Sequence, residues 1–285
     1  MGDLSGIVDM HVHTNPDLRL RRYDDFMLCD EAVKIGAKAV VLKSHLGSTA
    51  ERAYLCNRYM EKVYGSVNTR VFGSVTMNSS IGGLNAEAVE NALRLGAKVV
   101  WLPTQSARNH LIRNHKPLDH VVEVVRDGKV VSELYDIFSL VKEYDVTLSS
   151  GHMGPEEIFV IAKAAKEAGL KKFVVTHPEW WLVNLSESDM EMLVREYDVF
   201  LELCYAQNKG IGAGHGYLLN LERNLETIKR VGYQNVLISS DGGQVENAPW
   251  EWALLHYQKY LLSQGLSEKE VFYMNRELPS YLLGL

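Results

Sequence analysis

The sequence predicts an α/β fold of the (β/α)8 barrel type, with a β-hairpin inserted after the fourth strand. Three observations support this prediction: a helix–glycine–strand pattern that repeats, eight buried strand candidates, and histidines that follow several of those strands. A chain of 285 residues, 46% of them apolar, is long enough to bury the core of one barrel. We therefore expect a single domain over residues 1–285.

The repeated pattern is the first observation. AVKIGAKAVVL (32–42) and ALRLGAKVVWL (92–102) each contain the end of an amphipathic helix, a glycine and a short β-branched strand. Gly36 and Gly96 fit the left-handed position that closes a helix. The same order returns in AAKEAGLKKFVVTH and TIKRVGYQNVLISSD. A recurring helix, glycine and buried strand is typical of parallel βα units.

The strand candidates are the second observation. They are short, largely apolar runs, most of them separated by amphipathic helices: GIVDM (6–10), AVVLK (39–43), RVFGSV (70–75), KVVWL (98–102), VTLSS (146–150), FVVT (173–176), VFLEL (199–203) and VLISS (236–240). Eight parallel strands with helices between them close into a barrel. A doubly wound sheet would give similar local signals, so the choice of a barrel depends partly on the motifs below.

Two connections depart from the plain βα pattern. The stretch from Thr104 to about Ser132 is long and contains VVEVVRDGKVVSE, which predicts a hairpin that turns at Asp127-Gly128. GIGAGHG (210–216) has glycine at every second position and does not match a dinucleotide-binding loop. We interpret this segment as the hinge of a lid.

Charge, hydropathy and cysteine content restrict the functional class. The formal net charge of −6 argues against nucleic acid or an anionic membrane as the main partner, because both need a basic face. No apolar run approaches the length of a membrane span, and the N-terminus lacks a signal-peptide pattern. The three cysteines form no CxxC pair and suit a reducing compartment. We expect a cytoplasmic protein that acts on a small molecule and could form homo-oligomers through aromatic residues of its last fifth.

The third observation is that polar side chains follow the predicted strands. Histidines follow the first, second, fifth and sixth strands, and an aspartate follows the eighth: His11, His13, His45, His152, His177 and Asp241. The active site of a parallel barrel forms at the C-terminal ends of its strands. We therefore expect these side chains at one rim of the barrel.

The spacing of the first two histidines predicts a metal site. His11 and His13 are two residues apart on a strand, so their side chains point the same way and could chelate one ion. Imidazole nitrogens with one carboxylate oxygen suit zinc, with manganese, iron or nickel as alternatives. Such an ion lowers the pKa of a bound water from about 15.7 toward about 7 and supplies hydroxide. Asp241 could bind the ion and also carry the proton of that water to the leaving group.

These residues together resemble the amidohydrolase superfamily. DMHVH near the N-terminus, a histidine after the fifth strand, another after the sixth and an aspartate after the eighth follow the order found there, and MNRELPSYLLGL is similar to its common C-terminal ending. The resemblance implies a metal site built from His11, His13, His152, His177 and Asp241. The HxH pair and the aspartate would bind one ion, and the other two histidines would bind a second ion or be shared with the substrate. Asp241 and His177 are the catalytic candidates.

The chain departs from the superfamily pattern at the fourth strand. Members with two metals place a bridging lysine carbamate or glutamate there, whereas this strand ends in LPTQ (102–105). The site therefore holds one zinc ion, or it holds two and takes its bridge from elsewhere, with Lys43 at the end of the second strand as the candidate. As a carbamate Lys43 could bridge two ions. As an ammonium, which we favour because it needs no modification, it could hold a substrate carboxylate or polarise a carbonyl.

Further residues are candidates for contact with the substrate. Lys43, His45 and Arg108 are the substrate-binding candidates, and His45 could instead support the metal ligands. Several arginines in connections above the site could clamp an anion: Arg19, Arg21, Arg22 and Arg108. Glu202, in the middle of an apolar strand, needs a partner and could pair with Lys43 or face outward against a helix.

The long fourth connection and the segment after His177 contain the last candidates. His110, His115 and His120 are expected in a solvated loop, although His110 could reach the site. Trp180 and Trp181 could form a wall of the pocket or pack at its rim.

Four functions are compatible with these residues. The favoured one is hydrolysis of a small amide, cyclic amide or ester by metal-activated water. Phosphoester hydrolysis and decarboxylation of an aromatic acid are alternatives on the same site. A metal-containing binding protein without chemistry is the non-enzymatic alternative, against which an intact Asp241 argues. The fold alone decides none of these.

Overall fold

The strands are short and mostly buried. A computed structural model describes residues 3–208 and 217–285 of the chain. Within these ranges the strands are, in chain order, β1 (Val8–His13), β2 (Ala39–Lys43), β3 (Arg70–Phe72), β4 (Ser74–Thr76), β5 (Val99–Trp101), β6 (Val125–Arg126), β7 (Lys129–Val130), β8 (Thr147–Ser149), β9 (Phe173–Thr176), β10 (Phe200–Cys204), β11 (Ala206–Asn208), β12 (Tyr217–Leu219) and β13 (Val236–Ser239).

Helices lie between the strands and after the last of them. They are α1 (Asp25–Lys34), α2 (Ala50–Tyr64), α3 (Ala86–Arg94), α4 (Arg108–Arg113), α5 (Glu133–Glu143), α6 (Pro155–Glu167), α7 (Glu187–Tyr197), α8 (Leu221–Val231), α9 (Trp250–Ser263), α10 (Glu268–Phe272) and α11 (Leu278–Leu283). Asp24, Asn85 and Ser186 each accept a backbone N–H of the first turn that follows them and so fix where three of these helices begin. Among the described residues, no helix has the length and apolar content needed to cross a membrane.

The predicted strands are all present and run parallel in barrel order. One sheet has the order β1-β2-β3, and the other has the order β4-β5-β8-β9-β10-β13. β3 and β4 are two halves of the third predicted strand, interrupted at Gly73, where a side chain would overlap the backbone of Ala50. At the other seam Val12 and Gly242 form a parallel bridge that joins the first strand to the last. The predicted α/β barrel fold is confirmed.

The long fourth connection contains the predicted hairpin. β6 and β7 pair antiparallel, and Asp127 and Gly128 turn the chain with φ of 52° and 71°. Positive φ at both central residues is the geometry that tight hairpins favour. The same connection also forms α4, which the sequence pattern does not predict. The lid hinge predicted at 210–216 lies outside the described residues.

Apolar side chains fill the barrel and close one of its ends. Val8, Val99, Val174 and Leu237 come from strands around the barrel and pack together in its interior. Helix α11 adds leucines to the same cluster, next to the residues that begin the strands: Leu278, Leu282 and Leu283. The interior is thus packed with apolar side chains at the N-terminal ends of the strands, and the histidines and Asp241 lie at the C-terminal ends.

Gly243 lies where the segment after β13 crosses β1, and it admits no side chain. Its φ is +98°, and a Cβ atom would overlap the carbonyl oxygen of His13. Gly96 has a similar φ of +95° but has no atom near the position of its absent Cβ. Substitution of the two glycines by alanine therefore distinguishes the cost of backbone strain from the cost of steric overlap.

We expect Gly243→Ala to lower the free energy of unfolding more than Gly96→Ala does. Gly96→Ala should cost about 1–3 kcal/mol, because alanine disfavours positive φ, and Gly243→Ala should add to this the displacement of the β1 backbone. Urea unfolding followed by circular dichroism measures both, with the m-value as a check on two-state behaviour. Equal losses in the two variants would show that the close approach of Gly243 to His13 does not matter.

Candidate metal centre

A β-bulge in β1 sets the direction of the two histidines. Between Asp9 and Val12, β1 contains one residue more than the facing stretch of β2. Before the bulge, the side chains at even-numbered positions of β1 face the barrel interior. After the bulge this direction is reversed, because Val12, also at an even-numbered position, packs against the helices. His11 and His13 consequently point into the mouth of the barrel. A bulge that changes which side chains face inward is common beside functional sites.

The Asp9 carboxylate stabilises this bulge. Its Oδ1 accepts the backbone N–H of His11 at 3.1 Å and that of Ser240 at 3.3 Å, and its Oδ2 accepts the indole N–H of Trp250 at 2.7 Å. The side chain is fully buried. Burial raises the pKa of Asp9, and these hydrogen bonds act in the opposite direction. Asp9 thus connects the bulge to the end of β13 and to α9.

Two histidines and one aspartate form a group that could hold a metal ion. Asp241 Oδ1 is 3.1 Å from His11 Nε2 and 3.3 Å from His13 Nε2. Their ligand atoms all lie within 4.8 Å of one another. Two imidazole nitrogens and one carboxylate oxygen are the donor set that zinc and similar divalent ions prefer. These residues therefore fit a metal ion, and they are three of the five metal ligands that the sequence predicts.

Asp241 is held in place by its own loop. It has a φ of 45°, and the next residue, Gly242, accepts the backbone N–H of His13 at 2.9 Å. Gln244 donates a side-chain N–H to Asp241 Oδ1 at 3.2 Å. Burial raises the pKa of Asp241, but His11 and His13 outweigh it and hold the pKa well below its usual range. The carboxyl group is therefore ionised at neutral pH.

Glu202 contacts the opposite side of the His11 ring. Its Oε1 lies 3.3 Å from His11 Nδ1, and both side chains are buried. A carboxylate at Nδ1 favours a proton on that nitrogen, so that the lone pair of the ring lies on Nε2, the atom that could bind a metal. The sequence indicated only that this acid needed a partner, with Lys43 as a candidate. An ionisable residue in the middle of an apolar strand was the signal, but which residue it faces depends on the barrel.

Lys43 extends from β2 to the same histidine. Its Nζ is 2.9 Å from His11 Nε2 and lies 4.0 Å above the centre of the Trp101 ring. Burial lowers the pKa of Lys43, and Asp241 and Glu202 oppose this change. Trp101 occupies the end of the fourth barrel strand, and Lys43 lies over it. The amino group is thus adjacent to the candidate metal centre.

His152 and His177 lie beside this centre but are not grouped with it. Their ring centres are 5.2 Å apart, and the His177 ring is 6.0 Å from that of His11. No set of three candidate ligand atoms in the described part of the chain includes either histidine. His110, on α4, reaches the site, because its Nδ1 is 2.8 Å from His152 Nδ1. The expectation of a solvated loop is therefore wrong for His110.

The histidines of the site are buried, and most are neutral. Burial is the largest cause that lowers the pKa of His13, His45 and His152 well below the usual value, and it lowers that of His177 to about 3. His11 differs, because Asp241 and Glu202 outweigh its burial and raise its pKa. Neutral imidazole is the form that binds a metal or accepts a hydrogen bond.

A small cavity opens in front of these residues. Its volume is about 160 Å³, and its walls include Trp180, Trp181 and several basic side chains: Arg19, Arg21, Lys43 and Lys116. Lys43 and His45, two of the predicted substrate contacts, line it. Arg108 does not. Its side chain is exposed and has only a distant ion-pair contact with Glu123, at 4.0 Å. The sequence placed Arg108 in the right connection, but α4 turns it away from the cavity, whereas His110 on the same helix faces inward.

A comparison with protein families matches the first seven strands of this barrel, up to a point within β10. Residues 6–202 match a protein family described as a family of unknown function, DUF6282. The chain belongs to this family. A comparison with curated proteins found no significant match.

Solved structures with the same fold are amidohydrolase-type proteins. An amidohydrolase from Pseudomonas aeruginosa superposes with a TM-score of 0.63 at 14% identity, over 99% of this chain and 97% of that one. A proposed 2-pyrone-4,6-dicarboxylic acid hydrolase from Pseudomonas putida gives 0.60 at 15% identity, over 99% and 98%. The organophosphorus hydrolase of Deinococcus radiodurans gives 0.59 at 14% identity, over 98% and 92%. This DUF6282 member therefore has the barrel fold that these hydrolases share.

We expect Glu202→Gln to weaken metal binding without unfolding the protein. Loss of the charged partner of His11 should lower zinc affinity about 10–100-fold, and His11→Ala should remove most of the bound metal. Competition with a fluorescent zinc chelator measures the affinity. The exposed Glu51→Gln on α2 serves as the matched control. Unchanged affinity in Glu202→Gln would mean that Glu202 does not influence metal binding by His11.

Proposed function

We propose that this protein is a metal-dependent hydrolase that acts on a small amide, cyclic amide or ester. The observation that carries the proposal is the convergence of His11, His13 and Asp241 within hydrogen-bond distance at the C-terminal end of the barrel. Zinc is the metal we propose, because neutral imidazoles and a carboxylate suit it. The names of the structural neighbours describe hydrolases and support the same reaction class.

Some residues of the site would bind the metal ion or the substrate, and Asp241 would transfer a proton. When bound, the metal ion would lower the pKa of a water molecule from about 15.7 toward about 7. Asp241, ionised and 15% exposed, can accept the proton of that water through its carboxylate and return it to the leaving group. His177 lines the cavity, where its neutral ring can orient the substrate or the water. Trp101 and the apolar interior exclude solvent from below.

One metal ion per chain is the stoichiometry we propose. The described residues provide His11, His13 and Asp241 for one ion. A second candidate group, His11, Glu202 and Cys204, shares His11 with the first, and His152 and His177 alone would provide only two ligands for a further ion. Lys43 in its ammonium form needs no second ion, and Trp101 occupies the strand where a bridging group would be expected. Metal analysis by plasma mass spectrometry tests this: about one zinc per chain supports the proposal. About two would favour a carbamate on Lys43, and none after reconstitution would overturn the hydrolase.

The lining of the cavity favours an acidic substrate. Four basic side chains line it within the described part of the chain, and Asp241, the only lining carboxylate, would be engaged by the metal. The Asp17 carboxylate contacts both Nε and Nη2 of Arg21 at 2.8 Å. These two contacts hold the Arg21 guanidinium rigidly at the cavity wall. A cavity of about 150 Å³ accommodates a molecule the size of benzene. A small ring bearing a carboxylate therefore fits both the size and the charge of this cavity.

The alternatives have weaker support. A phosphoesterase on this site would need further acidic ligands, and the group of His11, His13 and Asp241 includes one carboxylate. Decarboxylation of an aromatic acid would use the same basic cavity and remains the second candidate, since Trp180 provides an aromatic wall. A substrate panel with lactones, cyclic amides and aromatic acids separates the two reactions by their products. Product formation by the zinc-loaded protein would exclude a pure binding protein.

We expect Asp241→Asn to abolish turnover of any substrate that the panel identifies. The amide cannot accept a proton, so kcat should fall by a factor of about 10²–10⁴, while KM changes far less. Turnover is measured at saturating zinc, and metal content is determined in the same samples to separate proton transfer from metal loss. A variant that retains metal and near-normal kcat would rule out Asp241 as the proton carrier.

We expect Arg19→Gln to discriminate against acidic substrates. Arg19 lines the cavity and is partly exposed, with Glu246 as a partner at 3.3 Å. Its loss should raise KM for a carboxylate-bearing lactone about 10-fold, the effect of one charge-assisted contact, and leave the neutral analogue unaffected. Arg108→Gln is the matched control, because Arg108 belongs to the same rim but lies outside the cavity. Equal effects on both substrates would argue against an anion site.

A further inference from the structure

A buried chain of hydrogen bonds connects Asn78, Thr104 and His45. Thr104 is fully buried, Asn78 is nearly so, and His45 contributes its ring to the cavity wall. The chain lies next to the candidate metal centre, because the His45 ring stacks on that of His13 with centres 4.9 Å apart. Neither Asn78 nor Thr104 belongs to the group of candidate ligands.

The orientation of the Asn78 amide is fixed by backbone donors. Its Oδ1 accepts the backbone N–H of Thr104 at 2.8 Å and that of Ser106 at 3.1 Å. Two N–H donors at one atom identify that atom as the oxygen, so the other atom is the NH₂ group. This group donates to the His45 carbonyl at 2.8 Å and to Thr104 Oγ1 at 2.7 Å.

The direction of the next hydrogen bond follows. Thr104 Oγ1 already accepts a hydrogen from Asn78, and its own hydrogen needs an acceptor. In the described part of the chain the remaining partner of Oγ1 is His45 Nδ1, at 2.8 Å. If His45 Nδ1 carried a proton, the buried hydroxyl hydrogen of Thr104 would have no acceptor, which native structures avoid. Thr104 therefore donates to Nδ1, and the ring proton of His45 resides on Nε2.

We propose that His45 is a fixed N–H donor that binds a substrate oxygen beside the metal. Thr104 and Asn78 are positioning residues, since they act by holding the His45 ring in one tautomer. The donor role rests on the proposed hydrolase function: the oxygen it receives is the carbonyl oxygen of the scissile amide or ester, on which negative charge develops during attack by water. The tautomer itself follows from hydrogen bonding alone and does not depend on turnover.

Nuclear magnetic resonance of the zinc-loaded full-length protein tests the tautomer. Histidine is labelled with ¹⁵N, the His45 signals are identified by their loss in His45→Gln, and long-range proton–nitrogen spectra show which ring nitrogen is protonated. We expect protonated Nε2 and unprotonated Nδ1 in the wild type and in Thr104→Ser, which keeps the hydroxyl. Thr104→Val should lose this preference. A proton on Nδ1 in the wild type would overturn the proposal.

Binding of acetate tests the donor role without requiring hydrolysis. Its carboxylate oxygen is a simple acceptor for His45 Nε2–H, and we expect acetate to shift this signal. His45→Phe should weaken acetate binding about 10-fold, the usual effect of one hydrogen bond, and Thr104→Val should weaken it less, with Thr104→Ser unchanged. Metal content is measured in each variant. If acetate leaves the His45 signal unmoved, or binds His45→Phe as tightly, His45 is not a substrate donor.

The proposal of a hydrolase and the proposal that His45 is a donor can be contradicted independently of each other. A protein that hydrolyses no ester or amide of the panel, yet shows the expected tautomer and acetate response, would contradict the hydrolase and leave His45 as a binding donor. A protein that hydrolyses esters with an unchanged kcat in His45→Phe would keep the hydrolase and contradict the role of His45. Removal of a single donor to a developing oxyanion otherwise lowers kcat about 10²–10³-fold.

Discussion

The buried carboxylate of Asp9 is the constraint on which the candidate site depends. It lies in the bulge of β1, where it accepts hydrogen bonds from the first strand, from the end of the last strand and from α9. Without the extra residue of the bulge, strand alternation would turn His11 and His13 toward the helices. Asp9 does not line the cavity and does not belong to the candidate metal group. It nevertheless determines which way the candidate ligands His11 and His13 face.

The candidate metal group spans the seam at which the barrel closes. His11 and His13 belong to the first strand and Asp241 to the loop after the last, and Gly242 and Gly243 bring that loop against the His13 backbone. Two histidines here contact a polar side chain that influences the protonation of the ring: His11 of the group contacts Glu202, and the neighbouring His45 contacts Thr104. The contacts that close the barrel therefore also bring the candidate ligands together.

Sequence reasoning predicts the fold and places the first candidate ligands together, but it does not predict the contacts around them. Strands, their order and the residues that follow them can be predicted, because parallel strands place their C-terminal ends together. The bulge, the pairing of Glu202 with His11 and the Thr104–His45 hydrogen bond each depend on neighbours far away in the chain, which periodicity does not reveal. Arg108 and His110 illustrate the limit: the sequence favours Arg108 as a substrate contact and His110 as a loop residue, whereas the orientation of one short helix turns Arg108 away from the cavity and His110 toward it.

The position of the ligands at opposite ends of the sequence affects how the protein is made. The two histidines are translated well before the aspartate, because almost all strands of the barrel lie between them in the sequence. A nascent chain whose last barrel strand has not yet been translated has the two imidazoles but lacks the aspartate carboxylate of the candidate metal group. Because contacts between distant segments form late and slowly, the three candidate ligands can come together only after the last barrel strand has been translated.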